Sequence, residues 1–236
     1  STLMIKTLRS LSSFNIYIEY TLDQMLKIGA QSIPIVILTS LFSGMVTSVQ
    51  AAYQFESGLI PTWFVGSIVC ESVLLELAPM MIALVMTGKV GATIAAELGT
   101  MRVTEQIDAL ESLSFDPIGF LIFPRVFAAT IVFPLLIIIG DFFGILGGMF
   151  AAVYSIDDIS IQEFIRGLQS WFRPWDAIFG IIKGIFFGFT ITSIACYKGF
   201  YIEGGASEVG KATTSSVVIS CIAIVILDYL LAALLL

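Results

Sequence analysis

The chain has 236 residues, 58% of them hydrophobic and 12% charged, with a mean hydropathy of +1.00; that balance excludes an ordinary soluble domain and places the chain in lipid. A net charge of −7, from 18 acids against 11 Lys and Arg, excludes a nucleic-acid partner, because neutralising phosphates takes a basic surface. Histidine is absent, and Cys70, Cys196 and Cys221 lie apart in apolar runs, which excludes Ser-His-Asp hydrolysis, a disulfide framework and His or Cys metal sites.

At the amino end, Leu8, Leu11, Phe14, Ile18, Leu22, Met25 and Leu26 recur at spacings of three and four. Lys6, Arg9, Glu19, Asp23 and Lys27 fall between them. This pattern predicts an amphipathic helix within residues 1–30, lying in the membrane interface. No signal peptide is expected, because the first strongly apolar run begins near Ile33 and continues at spanning length. A bilayer core takes roughly 20 apolar helical residues. Five runs of that length occur, at about residues 32–53, 63–87, 127–154, 176–197 and 216–236. Pro79, Pro134, Gly140 and Gly144 fall inside them, which membrane helices tolerate by re-satisfying backbone groups against neighbours.

The fold class predicted is therefore an all-α polytopic membrane protein: an interfacial helix, five spans, and a long polar segment between spans two and three. Lys and Arg favour the cytoplasmic side. With the amino end inside, Lys6, Arg9, Lys27, Lys89, Arg102, Arg125, Lys198 and Lys211 fall on that side. Arg166 and Arg173 fall on the other, and Lys183 lies within span four. The bias predicts a cytoplasmic amino end and a carboxyl end on the opposite side.

The polar segment, residues 88–117, holds no helix breaker between residues 92 and 113 except Gly99, and it stops at Asp116-Pro117. A single helix over 92–113 would put Glu97, Met101, Thr104, Glu105 and Asp108 on one face. That face is either a docking element or a solvated connection. The loop at residues 155–176, with Ile159, Phe164, Leu168, Trp171 and Phe172 among polar residues, is either a short surface helix or a membrane-seated one. Trp63, Trp171 and Trp175 stand at span ends, where an aromatic belt is expected.

Four acids lie within spans: Glu71 and Glu76 in the second, Asp141 in the third and Asp228 in the fifth. Each costs roughly 3 kcal/mol by insertion scales and calls for a reason. For Glu76 the readings are contact with a lipid headgroup or proton path, and pairing with Lys183. For Asp141 and Asp228 a structural role is the expectation. Residues 205–211, GASEVGK, match the start of a phosphate-binding G-x-x-x-x-G-K loop, but Ala212 stands where the Mg²⁺-binding hydroxyl belongs. The stretch also lies between spans, with no strand before it, and reads as a Gly-rich turn.

The run ELAPMMIALVMTGKVGATIAAELGTMRVTEQIDALESLSFDPIGFLIFPR, residues 76–125, closely resembles the signature region of the MlaE family of ABC transporter permeases, called YrbE in its actinobacterial branch. GGASEVGKATTSSVV at residues 204–218 and Leu227-Asp228-Tyr229 extend the match. The sequence departs from the family where Leu75 stands before Glu76 in place of a frequent Arg, and where Ala78 replaces a glycine.

The resemblance implies one permease domain over residues 1–236 in a bacterial inner membrane, moving phospholipids or related lipids. It implies as partners a second copy of the chain, a cytosolic ABC ATPase dimer that binds the ATP and Mg²⁺, and an MCE-domain lipid-binding protein on the far side. No cofactor is expected in this chain. A coupling helix at about 92–113 would bring Glu97, Leu98, Gly99, Met101, Arg102, Thr104, Glu105, Gln106 and Asp108 to the ATPase. A diacyl lipid needs more room than one five-span chain encloses, so its path is expected between two copies. Depth and helical spacing suggest Leu74, Leu77 and Met81 in span two, and Ile222, Val225 and Tyr229 in span five, as its lining. An ion-coupled secondary transporter using the intramembrane carboxylates is the alternative, although inverted repeats are not apparent.

The charge bias makes a topological prediction. In a cysteine-free background, a cysteine at Thr104 will be labelled from the cytoplasm and one placed after Leu236 from the opposite side. Labelling of both from the same side would overturn the assignment.

Overall fold

A computed structural model describes residues 14–54, 61–155 and 159–236, with the backbone alone described for 14–17 and 155. The predicted interfacial positions Lys6, Leu8, Arg9 and Leu11, and the side chain of Phe14, lie outside the described residues. Regular structure among the described residues is entirely helical. In chain order, α1 is Phe14–Ile28, α2 Ile33–Gln54, α3 Phe64–Val103, α4 Gln106–Ser112, α5 Phe123–Ser155, α6 Ile161–Trp171, α7 Pro174–Phe200 and α8 Ala206–Leu235. Among the described residues five helical stretches are long and apolar enough to cross a membrane, as expected. They are longer than the apolar runs that announce them: α3 has 40 residues, about twice what a bilayer core takes. Polar turns continue its helix past the apolar stretch.

Three π-helical turns interrupt the α-helical register, at Val73–Leu77 and Thr87–Gly91 within α3 and at Ile118–Ile122 immediately before α5. A π turn adds a residue to the helical repeat and rotates the helix beyond it. This corrects one predicted path residue. Leu74, grouped with Leu77 and Met81 by regular α-helical spacing, is buried in the protein, whereas Leu77 is half-buried and Met81 exposed.

The chain divides into two compact units interleaved along the sequence. One comprises Ser1–Ser32, Ala83–Phe133 and Ile185–Leu236; the other comprises Ile33–Ile82 and Pro134–Gly184.

The second unit is held by close backbone approach. The buried face of α2 is Val36, Ser40, Gly44, Ser48 and Ala51, a stripe of mostly small residues spaced by four, four, four and three. It meets α5 at Gly140, Gly144, Gly147 and Gly148. A Cβ on Gly44 would fall on the Gly144 carbonyl, and one on Gly147 would fall on the Leu41 carbonyl. In lipid there is no hydrophobic drive between helices, so contact and small residues do the holding. Pro134 is accommodated within α5 by Gly184, whose missing Cβ would lie 3.0 Å from the Pro134 Cα.

The amphipathic segment forms α6, started by a reciprocal capping box in which the Glu163 amide donates to Ser160 Oγ and the Ser160 amide donates to Glu163 Oε2 at 3.1 Å. It neither stands free nor simply floats on lipid. Phe164 and Gly167 are buried, a Cβ on Gly167 would collide with the Trp63 carbonyl, and Ser67 Oγ donates to the Gly167 carbonyl at 2.9 Å. Ile161, Ile165 and Trp171 remain exposed.

In the first unit α1 is amphipathic in the opposite sense to a soluble surface helix. Its Thr21, Gln24 and Ile28 are buried, while Ile18, Leu22 and Leu26, spaced by four, are exposed. Such a helix presents its apolar stripe to lipid and its polar side to the protein. Gly99 breaks nothing, because it faces a neighbour: a Cβ there would strike Ile202 and crowd Val209 at 3.2 Å. The turn before α8 passes through Gly204 at φ +119, a conformation that favours glycine. The G-x-x-x-x-G-K resemblance then dissolves, since α8 begins at Ala206 with no strand before it.

The single helix expected over 92–113 is corrected. It breaks at Thr104 and Glu105, the latter left-handed at φ 60, and resumes as α4. A non-glycine residue there costs roughly 1–2 kcal/mol. The break turns Ile107 fully inward at 0% exposure, and burial of such a side chain returns about 1.5–3 kcal/mol. Arg102 and Asp108 close across the break at 2.6 Å, but Arg102 is only half-buried and Asp108 exposed, so solvent screens the pair and it contributes under about 1 kcal/mol. Apolar burial, not the ion pair, fixes the bend.

The glycine contacts predict a contrast. Gly44→Leu will destabilise the protein by about 3 kcal/mol or more, as overpacking against backbone cannot relax. Gly88→Ala, where a Cβ meets nothing within 4 Å, will be neutral or slightly stabilising. Unfolding in detergent titrated with dodecyl sulfate separates the two, and equal sensitivity would refute the packing argument.

Candidate functional site

The predicted coupling residues fall at the bend between α3 and α4. Leu98 and Gly99 are buried and serve packing. Met101 and Arg102 are half-buried, and Thr104, Glu105, Gln106 and Asp108 are exposed. The exposed run continues through residues 111–116, where Leu113 and Phe115 are large apolar side chains in the open. An exposed polar edge beside two exposed apolar knobs is the composition of a docking surface. Sequence reasoning missed Leu113 and Phe115, although two apolar residues in a polar turn before Asp116-Pro117 were the available signal. A cavity of about 500 Å³ opens here, lined by Arg102, Glu111, Phe115, Asp116 and Tyr201 among others.

Glu97 is engaged differently from its predicted neighbours. Its carboxylate accepts from Arg125 Nη2 at 3.1 Å, and the Arg125 side chain is buried. Arg125 also donates to the Leu121 carbonyl at 2.7 Å and lies over the Tyr20 ring, which stacks on Phe120 with centroids 5.5 Å apart. The four side chains tie α1 to the end of α3 and the start of α5. Glu97 braces the base of the bend.

In the second unit, Lys183 and Glu76 form an ion pair at 2.6 Å, as the pairing reading proposed. Lys183 is 0% exposed, so its ammonium depends on protein partners. It also donates to the Leu75 carbonyl at 2.9 Å and lies 4.8 Å from the Phe179 ring centroid. The Leu75 contact has a cause in sequence. Pro79, four residues on, has no N–H to offer that carbonyl, and the lysine supplies the donor.

The Glu76 side chain is 51% exposed and faces a cavity of about 590 Å³ that Thr47, Gln50, Gln54, Glu71 and Leu77 also line. The structure therefore brings Glu71, Glu76 and Leu77 to one opening. Asp141 is buried on α5, with its Oδ1 unpartnered among the described residues, and Asp228 is buried on α8. Ile222, Val225 and Tyr229 are all exposed along α8. Gln50 and Gln54, two amides near the end of an apolar span, were the legible and missed sign of a polar opening beside α2.

Five candidate spans among the described residues, an exposed bend with apolar knobs, and an ion pair within the spans open to a polar cavity describe a multi-pass membrane protein. Residues 21–234 match the family described as permease MlaE, and the chain belongs to that family. It is 44% identical over 216 residues to a probable ABC transporter permease protein of Rickettsia felis, covering 92% of this chain and 83% of that one. A probable ABC transporter permease protein of Synechocystis is 40% identical over 212 residues, covering 89% and 80%. The intermembrane phospholipid transport system permease protein MlaE of Haemophilus influenzae is 34% identical over 212 residues, with the same coverage of 89% and 80%.

The ion pair predicts non-additive stability. Glu76→Gln will destabilise the protein by about 3 kcal/mol, because it removes a counter-charge held 2.6 Å from a buried ammonium. Adding Lys183→Met to it will recover at least half of that loss. A double-mutant cycle on thermal unfolding in detergent measures the coupling, and strictly additive effects would show that the contact carries no energy.

Proposed function

We propose that this chain is the membrane-spanning subunit of an ABC transporter that moves phospholipids or related lipids between the bacterial inner membrane and an MCE-type lipid-binding partner in the periplasm. A separate cytosolic ATPase dimer binds ATP and Mg²⁺ and supplies the energy; this chain holds neither. The observation that carries the reading, beyond family membership, is the bend itself. The helix bearing Glu76 runs on through the π turn at Thr87–Gly91 to Val103, after which Thr104, Glu105, Gln106 and Asp108 stand exposed beside Leu113 and Phe115.

A groove-binding element on a partner must combine fixed shape with polar specificity if closure around nucleotide is to move spans. Buried Ile107 and Leu98 give the bend its shape, and its exposed residues give the contacts. In this reading the bend is cytoplasmic, as the Lys and Arg bias favours, and the carboxyl end is periplasmic. Two copies form the transporter. Each unit presents apolar side chains outward that a second copy would cover: Leu77 and Met81 in one, Ile222, Val225 and Tyr229 in the other. The polar opening at Glu76 and Glu71 suits the headgroup end of a lipid better than its chains.

Coupling is tested by replacing Glu105 and Asp108 together with Lys. The double variant will insert and fold, since the Arg102 contact it loses contributes little. It will lose ATPase association or uncouple hydrolysis from lipid transfer, at a cost of a few kcal/mol at the interface. Unchanged assembly, hydrolysis and transfer in the reconstituted complex would show that this face is merely wet.

A further inference from the structure

A third polar cavity, separate in sequence from every residue assigned above except Glu97, lies in the first unit between α1 and the later part of α3. It measures about 220 Å³ and is lined by Gln24, Lys27, Gln31, Lys89, Thr93 and Glu97 with three apolar residues. That is smaller than the roughly 300–1,000 Å³ of sites that enclose a drug-sized ligand. It has room for a small polar group and not for a diacyl chain.

Its charges do not cancel. Lys27 is paired with Asp23 at 2.7 Å, and Glu97 with Arg125 at 3.1 Å. Lys89 donates to the Gln31 carbonyl and to Ser32 Oγ, and has no carboxylate partner among the described residues. One positive charge is left over at the cavity wall. Gln24 supplies the second observation. It is 3% exposed and lines the cavity, yet its carboxamide makes no hydrogen bond among the described residues. The amide is not among the sealed polar atoms of the fold, so it is open to whatever occupies the cavity it lines. The third observation is the stripe of Ile18, Leu22 and Leu26 on the same helix, exposed and spaced by four. It offers an acyl chain a bed on the helix whose buried side carries Gln24.

We infer that this cavity holds the phosphate of an anionic membrane lipid bound as a resident of the interface rather than as cargo. The phosphate oxygens accept from Lys89 Nζ and from the Gln24 amide, with Lys27 at the rim, while the acyl chains lie along Ile18, Leu22 and Leu26. Bound in this way, the lipid joins α1 to α3 beside the Glu97–Arg125 brace. The inference rests on membrane residence alone and holds whichever way the chain transports.

Native mass spectrometry of the purified full chain, released from nanodiscs of mixed phosphatidylglycerol and phosphatidylcholine, tests it. The wild-type chain will retain phosphatidylglycerol in preference to phosphatidylcholine. Lys89→Gln and Gln24→Leu will each lower the population of the phosphatidylglycerol adduct, the lysine variant by roughly tenfold or more, as loss of a charge-assisted bond implies. Lys211→Gln, which removes an exposed lysine elsewhere, will leave it unchanged. The absence of any wild-type preference would overturn the inference. So would equal retention in Lys89→Gln, or an equal loss in Lys211→Gln, which would mark diffuse charge attraction. Displacement of the adduct by millimolar inorganic phosphate would reassign the cavity to a free oxyanion and overturn the lipid assignment.

Discussion

Within the spans of this fold little is gained by burying apolar side chains, because the surroundings of the spans are as apolar as their interiors. The structure depends instead on how closely backbones can approach. In the second unit that approach is set by the glycines of α5 meeting the small-residue stripe of α2, so tightly that several positions have no room for a single carbon. In the first unit, Gly188 and Gly199 on α7 play the same part, the latter against the Ala95 carbonyl on α3. Contact of this kind is short-ranged and unforgiving, which is how a chain in lipid acquires one packing arrangement when it has no hydrophobic collapse to rely on.

Against that apolar background the charged groups are few, and their arrangement is specific. Lys183 is sealed in and answered by Glu76 and by a carbonyl that a proline has left without its usual donor. Arg125 is sealed in and answered by Glu97 and the Leu121 carbonyl. In each pair the base is buried and the acid is partly open. The carboxylate is thus the member that can meet a ligand or solvent, while the cation is fixed in place. This asymmetry gives an anchored charge at the wall of each site without requiring both partners to leave water.

Much of this was legible in sequence. Apolar runs gave the five spans, charge gaps gave their order, and pairing with the lone lysine in span four was one of the two readings open for Glu76, the one the ion pair supports. The resemblance carried by residues 76–125 agreed with the family match. What escaped the sequence has definite physical causes. The break at Glu105 was hidden because the residue is a competent helix former, and only tertiary burial of Ile107 repays its left-handed backbone. Leu74 was misplaced because a π turn cannot be seen in a periodicity that assumes 3.6 residues per turn. The role of Leu113 and Phe115 was lost because exposure is decided by packing rather than by residue type. The small-residue stripe Ser40, Gly44, Ser48 was visible throughout, and it marked the inward face of α2.

The π turn at Val73–Leu77 has a consequence for how this span tolerates change in length. An ordinary helix buried among neighbours loses its whole register when one residue is removed, so such deletions are normally ruinous. A π turn already holds one residue in surplus, and excising a residue there restores regular winding rather than destroying it. The span would remain a span. Glu71 and Glu76, five residues apart across the π turn, would become four apart on a regular helix, about 40° from one another, and would still share one opening. The surplus residue acts as slack, through which this segment accommodates a change of length without unfolding the helix or turning its polar face away.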